Sequence, residues 1–263
     1  MKLTIIGAGN MGGAIACGLA NGSIINACGI TCSDRSLDAL EKIKKTNPSI
    51  HTTTDNKEAV QKADIVLIAV KPWLTETVLH EIKSGLDYKK QVIISIVAGV
   101  TFEQLTKFIE KEGENPPALF RLIPNTAIGV QNSMTFISAQ QASQEQINTV
   151  VSIFNELGAT LLVEERLMAA GTALASCGIA YAFRYIRAAT EGGVELGFYP
   201  DQAKNIVLQT LKGAVALLEA NGAHPETEID KVSTPGGITI KGLNEMEHAG
   251  FTSAVIRGLK ASR

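Results

Sequence analysis

The chain has 263 residues, 45% hydrophobic and 19% charged, and its 24 basic and 26 acidic residues leave a formal net charge of −2. That length supports one or two domains with a sizeable core, and the composition excludes a disordered, collagen-like or disulfide-dense chain. The near-neutral charge offers no bulk field for nucleic acid or anionic lipid, and the longest apolar run, residues 65–70, is far short of the roughly 20 residues that span a bilayer.

Strand and helix signals alternate through the first half. Residues 3–6 read as a strand and 10–21 as a helix, followed by a strand at 30–32 and a helix at 36–45. A short helix ends at 59–63. The wholly apolar run that follows it is a strand covered on both faces. Next come a helix at 75–83, a buried strand at 92–96 and a helix at 101–111, which Thr101 opens with Gln104 three residues on, a capping-box pattern. Strands at 119–122, 134–137 and 160–163 follow, with a helix at 144–157 between the last two. This alternation implies right-handed crossovers and a doubly wound, mostly parallel sheet. After Glu164 no strand signal survives. Residues 167–196 are alanine-rich and helical, interrupted near Cys177-Gly178, and 201–221 form a second long helix with Ile206, Val207, Leu211, Val215 and Leu218 on one face. A shorter helix precedes Val232, another follows Pro235-Gly236-Gly237, and the last starts at Thr252. The expected organisation is therefore a Rossmann-type α/β domain over residues 1–163, then an all-helical unit over 164–263 whose apolar faces suit dimerisation.

The turn after the first strand, Gly7-Ala8-Gly9-Asn10-Met11-Gly12, fits G-x-G-x-x-G and opens a helix, the context that gives this pattern meaning. Gly7 permits the tight turn, Gly9 lets backbone approach a pyrophosphate, and Gly12 lets helix and strand pack closely. The helix N-terminus offers free N–H groups to the phosphates. The second strand ends at Ser33-Asp34-Arg35-Ser36, where the signals conflict. An acidic residue there usually accepts from the ribose 2′-hydroxyl and favours NADH, whereas Arg35 and Ser36 could hold the 2′-phosphate of NADPH. In the helical half, Pro235-Gly236-Gly237 ahead of a helix presents bare N–H groups to an anion such as a substrate carboxylate, with hydroxyls at Thr234 and Thr239.

The four cysteines form no Cys-x-x-Cys, and the four histidines are scattered, so no metal site is expected. The cysteines read as small buried residues in a reducing compartment. With glycine reached too early for a signal peptide, a cytoplasmic location is expected.

Nearly the whole chain, from about Lys2 to about Leu259, resembles the pyrroline-5-carboxylate reductase family. The resemblance rests on the segment Ile5 to Gly12, on Ala69-Val70-Lys71-Pro72, on Arg121-Leu122-Ile123-Pro124-Asn125-Thr126, and above all on Asp230 to Leu243, which is similar to the family's Asp-x-Val-Ser-Ser-Pro-Gly-Gly-Thr-Thr-Ile-x-Gly-Leu. It implies hydride transfer from NADPH or NADH to the C=N bond of 1-pyrroline-5-carboxylate, giving L-proline. It implies that Gly7, Gly9, Asn10 and Met11 line the dinucleotide, that Ser33, Asp34 and Arg35 lie near the adenosine ribose, and that Asn56 contacts the adenosine end. Ala69, Val70, Lys71 and Pro72 would form the loop near the nicotinamide half. Gly236 and Gly237, flanked by Thr234 and Ile238, match the substrate-carboxylate site, and Thr239 matches the threonine whose hydroxyl reaches the substrate ring nitrogen. In the family the helical domains interlock in pairs, and the pairs often assemble further.

The chain departs from the family at Ala175-Ser176-Cys177-Gly178-Ile179-Ala180-Tyr181, where Ser-Gly-Ser-Gly-Pro-Ala-Tyr is usual. It also has Thr234 for Ser and Ile238 for Thr or Ala, and it lacks the proline and acidic residue that usually follow Asn125-Thr126. Two rival readings stand beside this one. A β-hydroxyacid dehydrogenase shares the two-domain plan but places a catalytic lysine on the long helix, and residues 169–181 contain none. A dinucleotide-binding regulatory protein would bind cofactor without turnover.

Overall fold

The computed structural model describes residues 1–263, which divide into two compact units, Met1–Ser176 and Cys177–Arg263. The first unit holds one eight-stranded sheet: β1 (Leu3–Ile6), β2 (Ile30–Ser33), β3 (His51–Thr53), β4 (Ile65–Ile68), β5 (Val92–Ser95), β6 (Ala118–Ile123), β7 (Ser133–Gln140) and β8 (Gly158–Leu162). Their order is β3-β2-β1-β4-β5-β6-β7-β8, and every pair is parallel except β6 with β7. The helices α1 (Asn10–Ala20), α2 (Leu37–Thr46), α3 (Asn56–Val60), α4 (Thr75–Ile82), α5 (Phe102–Ile109) and α6 (Gln144–Asn155) cover it.

The apolar runs of the central strands follow from this double cover. Side chains alternate across a strand, so Ile5, Leu67, Ile94 and Phe120 join one core with Ile15 and Leu19 of α1, Leu40 and Ile43 of α2, and Ile153 and Phe154 of α6. Their neighbours Ile6, Ile68, Ile93 and Leu119 join the opposite core with Val78 and Leu79 of α4 and Leu105 and Ile109 of α5. The Thr101–Gln104 capping box forms as expected. Strand β3 has no counterpart in the sequence reading. It is a polar His-Thr-Thr edge that pairs only with β2, so it carries none of the apolar signal that marks a strand covered on both faces.

One charge lies within the sheet. Arg121 on β6 is 7% exposed, and its guanidinium donates to Glu165 Oε1 at 2.6 Å. The same oxygen accepts from the Phe102 N–H at 2.7 Å, tying α5 to the segment after β8. Because removing one partner strands the other charge in a low dielectric, Glu165→Ala should cost about 2 kcal/mol, below the range for fully buried pairs since the glutamate is part-exposed. Urea unfolding checks this, and an unchanged midpoint would contradict it.

Beyond β8 the chain is helical, through α7 (Met168–Gly171), a π-helical segment (Thr172–Cys177), α8 (Gly178–Glu195), α9 (Pro200–Asn221), α10 (Pro225–Lys231), α11 (Ile238–His248) and α12 (Phe251–Ala261). The interruption expected near Cys177-Gly178 is this π segment. Before it, Met168 packs with Ile123 and Phe136 of the sheet. In the second unit α8 and α9 pack together, helped by Gly193, where a Cβ would come within 2.9 Å of the Ala203 Cβ. Ala203 is the one buried residue from α8 to the C-terminus. Large apolar side chains such as Phe183, Leu196, Phe198, Tyr199, Val215 and Ile238 are exposed instead. A single copy of this unit therefore has almost no core of its own. By length and composition alone the stretch Glu165–Glu195 is apolar enough to cross a membrane, a property that run length does not reveal.

Candidate functional site

The strand order reverses at β1, between β2 and β4, and open parallel sheets bind ligands outside the carboxyl ends of their strands at such a point. Gly7 leaves β1 there with φ +104°, and its N–H donates to Ser33 O at 2.8 Å. A Cβ on Gly7 would lie 2.5 Å from Ala69 O, and one on Gly12 would lie 1.9 Å from Gly7 O. These two glycines are thus required by the chain's own packing. Gly9 is different: nothing of the protein lies within 4 Å of where its Cβ would sit. It is the N-cap of α1 with no side-chain cap, and the first turn carries no acidic residue. That combination of uncapped N–H groups and open space fits a pyrophosphate.

A cavity of about 540 Å³ opens at this point. Gly7, Gly9, Asn10, Met11, Ser33, Asp34, Arg35, Asn56, Ala69, Val70, Lys71 and Pro72 all line it, while Gly12 lies behind the turn. Ile6, Leu74, Thr77, Val78, Ile96, Val97 and Ala98 line it too, and none of these is among the cofactor-site residues expected from the sequence. Residues 96–98 follow β5, the next parallel strand in order, so the strand-end rule applied one strand further would have found them. A larger cavity of about 770 Å³ runs along the other side of α1 and shares Gly9 and Asn10. It lies between α1, α2 and residues 129–131 and lacks the ends of β2 and β4, so the smaller cavity is the dinucleotide candidate.

Hydrogen bonds fix the polar wall. The Ser33 hydroxyl donates to Asn56 Oδ1 at 2.7 Å, and Asn56 Nδ2 donates to Glu81 Oε2 at 3.2 Å. Because a carboxylate only accepts, Glu81 dictates which way the amide faces. Asp34 Oδ2 accepts from the Ala8 N–H at 2.7 Å, and Oδ1 accepts from the Ser36 N–H at 2.8 Å. Arg35 is exposed. Lys71 is exposed as well, and its carbonyl accepts from the Leu74 N–H at 2.9 Å. Burial pushes the Cys32 thiol up to about 12 and raises that of Cys17, so neither is a thiolate at neutral pH.

Thr234, Gly236, Gly237, Ile238 and Thr239 come together on the turn from α10 to α11, in the second unit. Gly236 has φ +71°, and Gly237 is the N-cap of α11 without a side-chain cap. A Cβ on Gly237 would lie 2.6 Å from Thr234 Oγ1. Ile238 is 87% exposed and Thr239 is exposed. The turn therefore offers a helix start with unpaired N–H groups, a hydroxyl at the second helical position, and no enclosing wall within its own unit.

The departures at residues 175–176 are tied to the Arg121–Thr126 motif. The Ser176 hydroxyl donates to Pro124 O at 2.9 Å, and Asn125 Nδ2 donates to Ala175 O at 3.5 Å. Asn125 Oδ1 in turn accepts from the Ala127 N–H, capping the 3-10 turn Thr126–Val130.

A family model described as pyrroline-5-carboxylate reductase dimerisation matches residues 165–263, and one described as NADP oxidoreductase, coenzyme F420-dependent, matches residues 2–99. The chain is similar to pyrroline-5-carboxylate reductase 2 of Dictyostelium discoideum, 37% identical over 99% of this chain and 90% of that one. It is also similar to pyrroline-5-carboxylate reductase 1 of the same organism, 39% identical over 99% of this chain, but it spans only 48% of that protein's length. Among solved structures, it matches Plasmodium falciparum pyrroline carboxylate reductase with NADP bound at a TM-score of 0.88 and 29% identity, covering 100% of this chain and 95% of that one.

Proposed function

The chain belongs to the pyrroline-5-carboxylate reductase family, and on that premise we propose that it reduces the C=N bond of 1-pyrroline-5-carboxylate with NADPH to give L-proline. The observation that carries the cofactor half is the open space over Gly9 beside an uncapped helix start, in a cavity lined by the ends of β1, β2 and β4.

Bound NADPH supplies a hydride to the imine carbon, and the ring nitrogen gains a proton, so C=N becomes CH–NH. The chain's residues do the rest. Gly9, Asn10 and Met11 hold the pyrophosphate by backbone N–H groups, and Ala69 to Pro72 support the nicotinamide half. The N–H groups that follow Gly236-Gly237 take the substrate carboxylate. The Thr239 hydroxyl hydrogen-bonds the ring nitrogen and orients it. A hydroxyl is a poor acid at neutral pH, so the proton comes from solvent or arrives on the iminium, which is the better electrophile. Catalysis is then mostly positioning.

The protein acts as a homodimer in this reading, supported by the dimerisation model over residues 165–263 and by a second unit in which only Ala203 is buried. A cytoplasmic location belongs to the same reading, supported by four free cysteines. Loss of NADPH absorbance that requires both enzyme and 1-pyrroline-5-carboxylate tests the function. Tight NADPH binding with no consumption would favour the regulatory alternative instead.

A further inference from the structure

The dinucleotide cavity opens at the carboxyl ends of the strands. A smaller cavity, about 220 Å³, lies at the amino-end side of the same sheet, over β1, β2, β3 and the end of α3. Register builds its floor. Thr4 of β1 pairs with Thr31 of β2, and Thr31 pairs with His51 of β3, so the three stand in one row across neighbouring parallel strands. The Thr4 hydroxyl is buried and donates to Ala59 O of α3 at 2.7 Å. Thr31 and His51 also line the cavity, and neither side chain is spent on a hydrogen bond within the chain. Lys2, just ahead of β1, and Lys62, just after α3, complete the wall. Neither ammonium group is held in an ion pair, and no carboxylate lines the cavity. Asp64 lies beside Lys2 but off this wall, where its Oδ2 accepts the Lys2 backbone N–H at 2.7 Å.

We propose that this cavity binds a phosphate group, as the free ion or as the end of a small phosphomonoester, through Lys2, Lys62, the Thr31 hydroxyl and the His51 ring N–H. Two ammonium groups that face one hollow repel each other, and an anion between them turns that repulsion into attraction. Lysine serves a phosphate as a point charge, and charge-assisted hydrogen bonds are the strong ones. Size sets the ligand class. At about 30 Å³ per water, the space holds roughly seven waters, which suits a phosphate with part of its hydration shell and not a second dinucleotide. The cavity shares no residue with the two cavities beside Gly9, so its ligand takes no part in hydride transfer. It would instead tie the polar edge strand β3 to β1, β2 and α3, and so stabilise the folded first unit by mass action.

Cys28 is the one exposed cysteine of the four and sits on this wall, so its alkylation reports occupancy at this place and no other. The rate at which iodoacetamide labels Cys28, read by mass spectrometry of the peptide that carries it, is measured on the full chain against inorganic phosphate and against glycerol 3-phosphate. Sodium chloride holds the ionic strength constant at fixed pH, which removes plain screening. Labelling should slow along a saturable curve with a midpoint on the order of 1 mM, as about two charge-assisted hydrogen bonds would give. The compound with the lower midpoint identifies the source of the phosphate group. Lys2→Gln and Lys62→Gln, both at exposed positions, should each raise the midpoint roughly 10-fold. Lys212→Gln, an exposed lysine of the second unit, should leave it in place. Labelling that neither compound slows beyond the chloride control would overturn the proposal, as would a midpoint that both cavity-lysine variants leave unmoved.

Discussion

Gly12→Ala should abolish useful dinucleotide binding while leaving the helical second unit unaffected. The added methyl would lie 1.9 Å from Gly7 O, well inside contact distance, and the obstacle is backbone rather than a flexible side chain. The conflict can be relieved only by moving α1 away from β1 or by distorting the turn that presents the Gly9 and Asn10 N–H groups. A displacement of about 1 Å in a positioned group costs on the order of 100-fold, so NADPH Kd should rise at least that much. Stability should fall by about 1–3 kcal/mol, the usual cost of overpacking. Equilibrium binding together with urea unfolding checks both, and a variant that binds NADPH like the parent would contradict the packing argument. Gly9→Ala is the informative contrast. It meets no protein atom, so it should fold normally and lose affinity only where the ligand itself approaches.

Thr239→Ala should have the second large effect, on the substrate side. If the hydroxyl orients the ring nitrogen, its loss should lower kcat/KM for the imine by roughly 100-fold, the order seen when one preorganised donor is removed from a reacting centre. The Kd of NADPH should not move, because Thr239 sits on α11 and not on the dinucleotide wall. Thr239→Ser, which keeps the hydroxyl, should recover most of the activity. Steady-state kinetics on the three proteins decides, and parent-like turnover in the alanine variant would remove Thr239 from the chemistry.

The two halves of the chain were legible to different degrees, for physical reasons. The first half announces itself because a sheet covered on both faces needs strands without polar interruptions, as at residues 65–68, and because the close backbone approaches at Gly7 and Gly12 leave no room for a side chain. Strand β3 escaped because a polar edge strand has no core face to encode. The direction of the Asp34 carboxylate escaped as well: spacing specifies an acid at the end of β2, but only the folded turn reveals that Ala8 and Ser36 occupy it. In the second half, periodicity marked the two long helices α8 and α9, the shorter ones form about where they were expected, and the break near Cys177 proved to be a π segment. Its site is another matter. Pro235-Gly236-Gly237 reads as an anion-binding helix start or as a plain turn with equal ease, and only the resemblance chose between them. The exposed apolar faces of α8, α9 and α12 explain why: the side chains that would complete the surroundings of this unit do not come from the unit itself.

Delivery of a hydride from NADPH to the imine carbon of 1-pyrroline-5-carboxylate leaves an isotopic record in the product. Its most direct test uses NADPH carrying deuterium at the transferable nicotinamide position, with NMR of the product. Proline labelled once, on the ring carbon that had shared the double bond with nitrogen, is expected in an amount equal to the NADPH consumed. Proline without the label, or NADPH bound and left unoxidised beside intact imine, would contradict it.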